Sequence, residues 1–123
     1  MMAHGFEIGA AAFGQPQSSL LSARRVSDLL GLTQAELAKL IGVARNTLTA
    51  KSGARKVDLA LSPVVRILAM ASEMAGDENR AAIWFKHQPI PGWAGKTAYD
   101  LVGEGKADKV LAYLEAVRSG VYA

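Results

Sequence analysis

The chain has no cysteine, two histidines and four prolines in 123 residues. Without thiols there is no disulfide framework, no thiolate metal site and no cysteine nucleophile. That fits a reducing compartment, and a cytoplasmic location is expected. His4 and His87 have no second histidine or acid at ligand spacing, so no metal site or catalytic base is indicated. No run approaches the roughly 20 apolar residues of a membrane span; the most apolar stretch, Val64 to Ala75, is interrupted by Arg66 and Glu73. Ala10-Ala-Ala-Phe13 has no basic lead segment, so no signal peptide is expected. Gly103-Glu-Gly105 is too short for a nucleotide loop, and Asp100 reads better as a helix cap than as half of an acid pair with Glu104. No enzyme and no cofactor is expected.

What is present is hydrophobic substance and an uneven charge. Half the residues are hydrophobic, enough for a real core in one compact unit or two very small ones. The net charge is +3. Between Ser22 and Arg66, eight Lys/Arg (24, 25, 39, 45, 51, 55, 56, 66) face three acids (28, 36, 58). Positive charge therefore concentrates in one third of the chain, where a polyanion would be met, unless these residues only solvate helix faces.

The periodicity is helical throughout, and the fold class is all-α. Residues 1–20 are rich in Gly, Ala, Ser, Gln and Pro and read as a flexible tail, with a turn near Phe6 or Phe13. From Ser22, Val26, Leu29 and Leu30 recur at helical spacing and Gly31 ends the helix. Thr33 with Glu36 forms a capping box. Leu37, Leu40 and Ile41 form a buried stripe, and Gly42 breaks the helix. The next helix starts near Ala44 and turns Leu48 inward. Ser52 to Lys56 reads as a turn and hinge. Ser62-Pro63 reads as a helix start, with Val64, Ile67, Leu68, Ala71 and Met74 on one face. Gly76 stops that helix. Asp77 caps another that carries Ile83, Trp84 and Phe85. Pro89-Ile-Pro-Gly92 forbids helix. Thr97 caps a short helix with Asp100, Glu104-Gly105 is a turn, and Lys106 to Ser119 forms the last helix on Val110, Leu111, Leu114 and Val117. The domain reading is a tail at 1–20, one unit at 21–58 and a second at 59–123.

Residues 32–51 meet the physical requirements of a helix-turn-helix. Ala38 is small where two helices cross, Gly42 permits the turn, and Val43 and Leu48 bury the second helix. That leaves Arg45, Asn46, Thr49 and Lys51 outward as candidate DNA contacts. Gln34, at the first helix's N-terminus, is placed for phosphate. Arg and Asn are suited to guanine and adenine edges. The stretch Leu32 to Leu48 resembles the Xre/Cro-type helix-turn-helix. It departs from that pattern at Ala44, where Ser is usual, and at Ala50, where Arg is common. Both changes remove capping or phosphate contact. A helix pair kept only for packing is the alternative. Such modules read two half-sites as two-fold dimers. A homodimer is therefore expected, with Leu68 to Met74 as one candidate face.

The chain closes on Ser119-Gly-Val-Tyr-Ala123. An apolar peptide after a glycine gains nothing in water and reads as a segment with a pocket to enter. Trp84, Pro89 to Gly92, Gly95-Lys-Thr-Ala-Tyr-Asp-Leu-Val102, Glu104-Gly105, Val110, Leu114 and Gly120-Val-Tyr-Ala123 together look like the toxin-binding domain of the Xre/MbcA/ParS antitoxin family. The likeness covers about residues 60–123. Ala98 stands where proline is expected, and Pro89-Ile-Pro91 resembles an insertion that puts the loop geometry in question. The resemblance implies the antitoxin of a type II toxin–antitoxin pair. Its partner would be a RES-domain toxin that consumes NAD or transfers its ADP-ribose. It also implies that Val121, Tyr122 and the Ala123 carboxylate enter the toxin's active-site cleft. Gly120 would precede them, Arg118 would pair nearby, and Trp93 is a further candidate for partner surface. Trp84 reads first as core. Tyr122 folding back onto this chain's own core is the alternative to the plug. Two other readings of the whole stand beside this one: a stand-alone transcriptional regulator with a helical dimerisation domain, and an interaction module with a degenerate helix-turn-helix.

Overall fold

The computed structural model describes residues 19–120, and the side chains from 23 onward. Within these residues seven α-helices follow one another: α1 Ser19–Leu30, α2 Gln34–Ile41, α3 Arg45–Thr49, α4 Ala54–Ala75, α5 Glu78–His87, α6 Ala98–Gly103 and α7 Ala107–Arg118. A short 3₁₀ turn, Lys51–Gly53, leads into α4. The tail expected at 1–20 lies outside the described residues up to residue 18, as do the candidate turns near Phe6 and Phe13. The expected all-α class holds, since the described residues contain only an isolated bridge between Pro89 and Thr97.

Local chemistry sets most helix ends. Thr33 is extended (φ −75°, ψ 167°), and its Oγ1 accepts from the Glu36 N–H at 3.1 Å. Glu36 Oε1 accepts in return from the Thr33 N–H at 2.8 Å. The same reciprocal pair recurs at Thr97 and Asp100, with distances of 3.1 and 3.0 Å. Each box satisfies two amide donors that a helix start otherwise leaves open. Gly42 closes α2 in the left-handed region (φ 77°), which glycine enters without steric cost. Asp77 caps α5 by accepting from the Arg80 N–H at 2.7 Å.

The largest difference from the sequence reading is α4. Ser62-Pro63 does not start a helix: the helix runs unbroken from Ala54 to Ala75 with Pro63 inside it. An interior proline removes one hydrogen bond and costs about 3 kcal/mol. The carbonyl it frees belongs to Leu59, which is 72% exposed and can be hydrated. Val57 and Leu61 before the proline, and Val64, Ile67 and Leu68 after it, are essentially fully buried. At about 1.5–3 kcal/mol per buried aliphatic side chain, their burial outweighs one lost bond. The hinge expected at Ser52 to Lys56 is likewise absent. Arg55 and Lys56 belong to the first turn of α4, and the border drawn at 58/59 falls inside this helix.

Helix α4 is the axle of the molecule, packing against α1, α3, α5 and α7. One contiguous apolar cluster runs from Val26 and Leu37 through Leu61, Val64 and Leu68 to Phe85, Leu101, Val110 and Leu114. The chain thus has one core shared by both halves. Polar contacts cross the same seam. Arg25 on α1 pairs with Glu78 on α5, and Lys86 Nζ donates to the Leu30 carbonyl at 2.8 Å. Phe85 meets Tyr99 edge to face at 6.2 Å.

Two other expectations change. Ile83 is 63% exposed; α5 turns Ala81, Ala82 and Phe85 inward instead. One-residue phase shifts of this kind are set by the neighbours, because α5 must present a single stripe to both α1 and α4. The face Leu68 to Met74, named for dimerisation, is partly internal. Leu68 and Ala71 are buried in the chain's own core, whereas Glu73 and Met74 are exposed. No single helix among the described residues is long and apolar enough to cross a membrane.

Candidate nucleic-acid interface and C-terminal docking surface

Helices α2 and α3 are joined by Gly42-Val43-Ala44. The Gly42 N–H bonds to the Lys39 carbonyl and the Val43 N–H to the Ala38 carbonyl at 3.0 Å, a tight reversal. Ala38 and Leu48 are buried where the two helices meet. Helix α3 is only five residues long, and its cap position, Ala44, supplies no side-chain hydrogen bond. Packing from behind holds it instead. Leu48 enters the core and Thr47 rests against the 3₁₀ turn, where Gly53 is required. A Cβ at Gly53 would lie 2.5 Å from the Thr47 carbonyl oxygen and 2.7 Å from its methyl carbon. The sequence reading placed Gly53 in a turn and missed this close approach, because its φ is ordinary and nothing local demands glycine.

All five candidate DNA residues lie on the surface. Gln34, Arg45, Asn46, Thr49 and Lys51 are exposed. Thr49 Oγ1 makes one weak bond to the Asn46 carbonyl at 3.4 Å. The other four side chains have no ion pair or hydrogen bond with the described residues. A groove of about 850 Å³ opens beside them, between α1 and the α2–α3 pair. Its floor is Leu32, Leu37 and Leu48, and its rim holds Arg24, Gln34 and Thr49. Arg24 was not among the residues singled out from sequence. Its place across the groove from Gln34 depends on how α1 docks. Lys51, Arg55 and Lys56 add exposed cations at the start of α4, whose first turn holds no acid. These unengaged donors and exposed cations suit the phosphates and base edges of a duplex, with Asp28 the one acid lining the groove.

The glutamate of the first capping box also has electrostatic consequence. Two hydrogen bonds from Thr33, the backbone one first, hold the Glu36 carboxyl below the usual carboxylate range, with Lys86 adding to the effect. Tyr99, at the seam, is pushed up by burial and by the nearby Glu36 and Asp100 carboxylates.

The other end of the molecule is built differently. The loop between α5 and α6 folds on itself: the Ile90 N–H bonds to the Lys96 carbonyl at 2.8 Å, and Ile90 is buried. Gly92 and Gly95 have positive φ, as does Ala94 at 54°. Pro89-Ile-Pro91 is therefore a closed, anchored loop. Ala98 takes the first helical position after the Thr97 cap and is fully buried. Trp84 and Trp93 are both half-buried and rest against the core. Lys106 Nζ lies 5.6 Å from the Trp93 ring centroid, a cation–π distance. Glu104 joins Lys96 (2.8 Å) and Lys106 (3.4 Å), and the Lys96 hydrogen bond foremost holds its carboxyl low.

Arg118, a candidate partner contact, is engaged within the chain. Its Nη2 donates to Glu115 Oε1 at 2.8 Å, and its Nη1 lies 3.7 Å from Glu73. Gly120 has φ 85° and its N–H bonds to the Val117 carbonyl, so the backbone turns off the helix axis there. The structure gathers Arg118 and Gly120 at the end of α7; Trp93 sits separately, in the loop before α6. Val121, Tyr122 and Ala123 lie outside the described residues.

Comparison with known families gives two matches. The model of the antitoxin Xre-like helix-turn-helix domain matches residues 16–66. The model of the antitoxin Xre/MbcA/ParS C-terminal toxin-binding domain matches residues 70–120. The two meet inside α4. No curated protein and no solved structure matches the chain.

Proposed function

Since this chain belongs to the Xre/MbcA/ParS antitoxins, with a DNA-binding helix-turn-helix ahead of a toxin-binding domain, we propose that it silences a RES-domain toxin and represses its own operon. The toxin consumes NAD or transfers its ADP-ribose, and the antitoxin works by obstruction. The end of α7 carries the chain to the toxin's catalytic cleft. Val121, Tyr122 and the terminal carboxylate fill that cleft where an anionic ligand would sit. A rigid aromatic anchor beside a carboxylate suits a site shaped for such a ligand and loses little entropy on docking. Trp93 flanks the docking surface, and Arg118 exchanges an internal ion pair for one on the toxin. The protein acts in the cytoplasm, where it reads operator half-sites as a homodimer through Arg45 and Asn46, with Gln34, Thr49 and Lys51 on the backbone.

One observation supports this reading above the others. A polar helix face left without internal partners lies in the same packed unit as a toxin-binding fold whose last helix ends at the exposed residues Arg118 to Gly120, just ahead of the apolar sequence Val121-Tyr122-Ala123. The reading is tested by co-expression with the neighbouring gene product. The full chain is expected to protect cells and to co-purify with the toxin. A chain lacking Val121 to Ala123 should lose protection while still shifting operator DNA. Protection by the shortened chain would overturn the obstruction.

A further inference from the structure

The helix that leads into the DNA-reading pair is held by the other module. Helix α1 ends at Leu30, and its last carbonyls need partners. The Gly31 N–H bonds to the Asp28 carbonyl at 3.3 Å and the Leu32 N–H to the Ser27 carbonyl at 2.9 Å. Ser27 Oγ donates to the Leu32 carbonyl at 2.9 Å. The Leu30 carbonyl takes its hydrogen bond from Lys86 Nζ, 56 residues on in the chain, at 2.8 Å. The ammonium lies close against the turn: a Cβ on Gly31 would be 4.0 Å from it. Among the described residues Lys86 makes no ion pair; its bond is to this turn. It sets a positive charge at the end of α1, where the helix dipole favours one. A second link joins the same two helices, from Arg25 on α1 to Glu78, the first residue of α5. Lys86 is in the last turn of α5. The links thus engage both ends of α5 and two points along α1, and two points fix a helix's rotation as well as its distance.

That rotation controls where the neighbouring residues of α1 stand. Arg24, beside Arg25 in sequence, lies with Ser27 and Asp28 on one wall of the groove whose other wall carries Gln34 and Thr49. Gln34 opens α2 only four residues after Leu30, so the same turn that Lys86 holds also places Gln34. Neither Lys86 nor Glu78 lines the groove. We propose that Lys86, aided by Glu78, is a positioning residue for DNA reading: from the toxin-binding module it holds the α1–α2 turn, so that Arg24 and Gln34 stand at a fixed separation across the groove. This rests on the operator binding in the preceding reading and adds to it residues that touch no DNA. The helix-turn-helix therefore takes its geometry in part from a helix outside it.

The test uses the full chain and a duplex of the DNA directly upstream of its own reading frame. Lys86→Met keeps an apolar stem and removes the charged donor. It should weaken duplex binding roughly tenfold, the scale of one lost hydrogen bond from a charged group. The slope of affinity against salt should keep its wild-type value, because no phosphate contact is lost. Lys86→Arg retains a charged donor and should restore most of the affinity. Val110→Ala trims the core under α7 and should cost at least as much stability, yet leave duplex binding unchanged. In the chain without DNA, Lys86→Met should speed hydrogen exchange at the Gly31 and Leu32 amides, also roughly tenfold, and leave the α7 amides alone. Unchanged binding or unchanged exchange in Lys86→Met overturns the proposal. So does a salt slope lower by about one contact, which makes Lys86 itself a phosphate ligand, or an equal loss of binding in Val110→Ala, which reduces the effect to stability. A wild type that binds the duplex no better than Lys86→Met does sinks only the positioning role. A wild type that binds no duplex sinks the operator reading, and this role with it.

Discussion

The two ends of this molecule treat their charged side chains in opposite ways. On the α2–α3 face, Gln34, Arg45, Asn46 and Lys51 have no partner among the described residues. Around α6 and α7, Lys96, Lys106, Glu104, Arg118, Glu115 and Glu73 are joined in local ion pairs. The first arrangement leaves cations and donors unengaged, as suits a polyanion. The second presents a surface whose charges are already balanced within the chain, beside the half-buried Trp93. Exposed pairs of this kind add little stability; their effect is to fix the loop and the last helix turn in place.

The contrast predicts an ordered set of outcomes. The largest concerns what the two ends share. Phe85→Ala empties the common core and should lower stability by about 3–5 kcal/mol. Because the core is continuous, thermal unfolding should remain one transition, with both ends failing together. Two separated transitions would show that the ends fold independently. Next, Gly53→Ala drives a Cβ into the Thr47 carbonyl and should cost about 1–3 kcal/mol of stability. It should also shift α3 enough to reduce operator binding, while toxin capture by the folded protein persists.

Arg45→Ala and Asn46→Ala should leave the melting temperature alone and weaken operator binding by about 1–3 kcal/mol each. Lys51→Ala should instead lower the salt dependence by about one phosphate contact, uniformly across sequences. If all three act alike, sorting these residues into base and backbone contacts is wrong. The smallest effect is acid sensitivity. The Glu36 carboxyl is held below the ordinary glutamate value of about 4.3 by its bonds from Thr33. Its contribution is therefore complete above that value and disappears as pH falls through the lower folded-state value. Thr33→Ala should cost about 1 kcal/mol at neutral pH and flatten the acid limb of the stability curve. An acid limb identical to wild type would remove Glu36 from the account.

How much was legible in the chain follows from the range of each signal. The two capping boxes, the Gly42 reversal, the Asp77 cap and the exposure of Arg45, Asn46 and Lys51 depend on residues within four positions of one another, and all are as the sequence indicates. Ser62-Pro63 misled because its local preference for a helix start was overridden by burial on both sides. Ile83, grouped with Phe85 in the sequence reading, faces solvent because the orientation of α5 is fixed by α1 and α4. Gly53 looked like any turn glycine until Thr47 came within 2.5 Å of its missing Cβ.

The amino-acid sequence alone determined the all-α class, most helix ends and the exposed polar residues of the helix-turn-helix, since these follow from backbone capping and from a polar face that no neighbour can bury. Only the tertiary structure decided that the two modules hold one core on a continuous α4, that Arg118 pairs at home, and that Lys86 reaches the end of α1. Those features arise where helices distant in sequence meet, and no local pattern encodes the meeting.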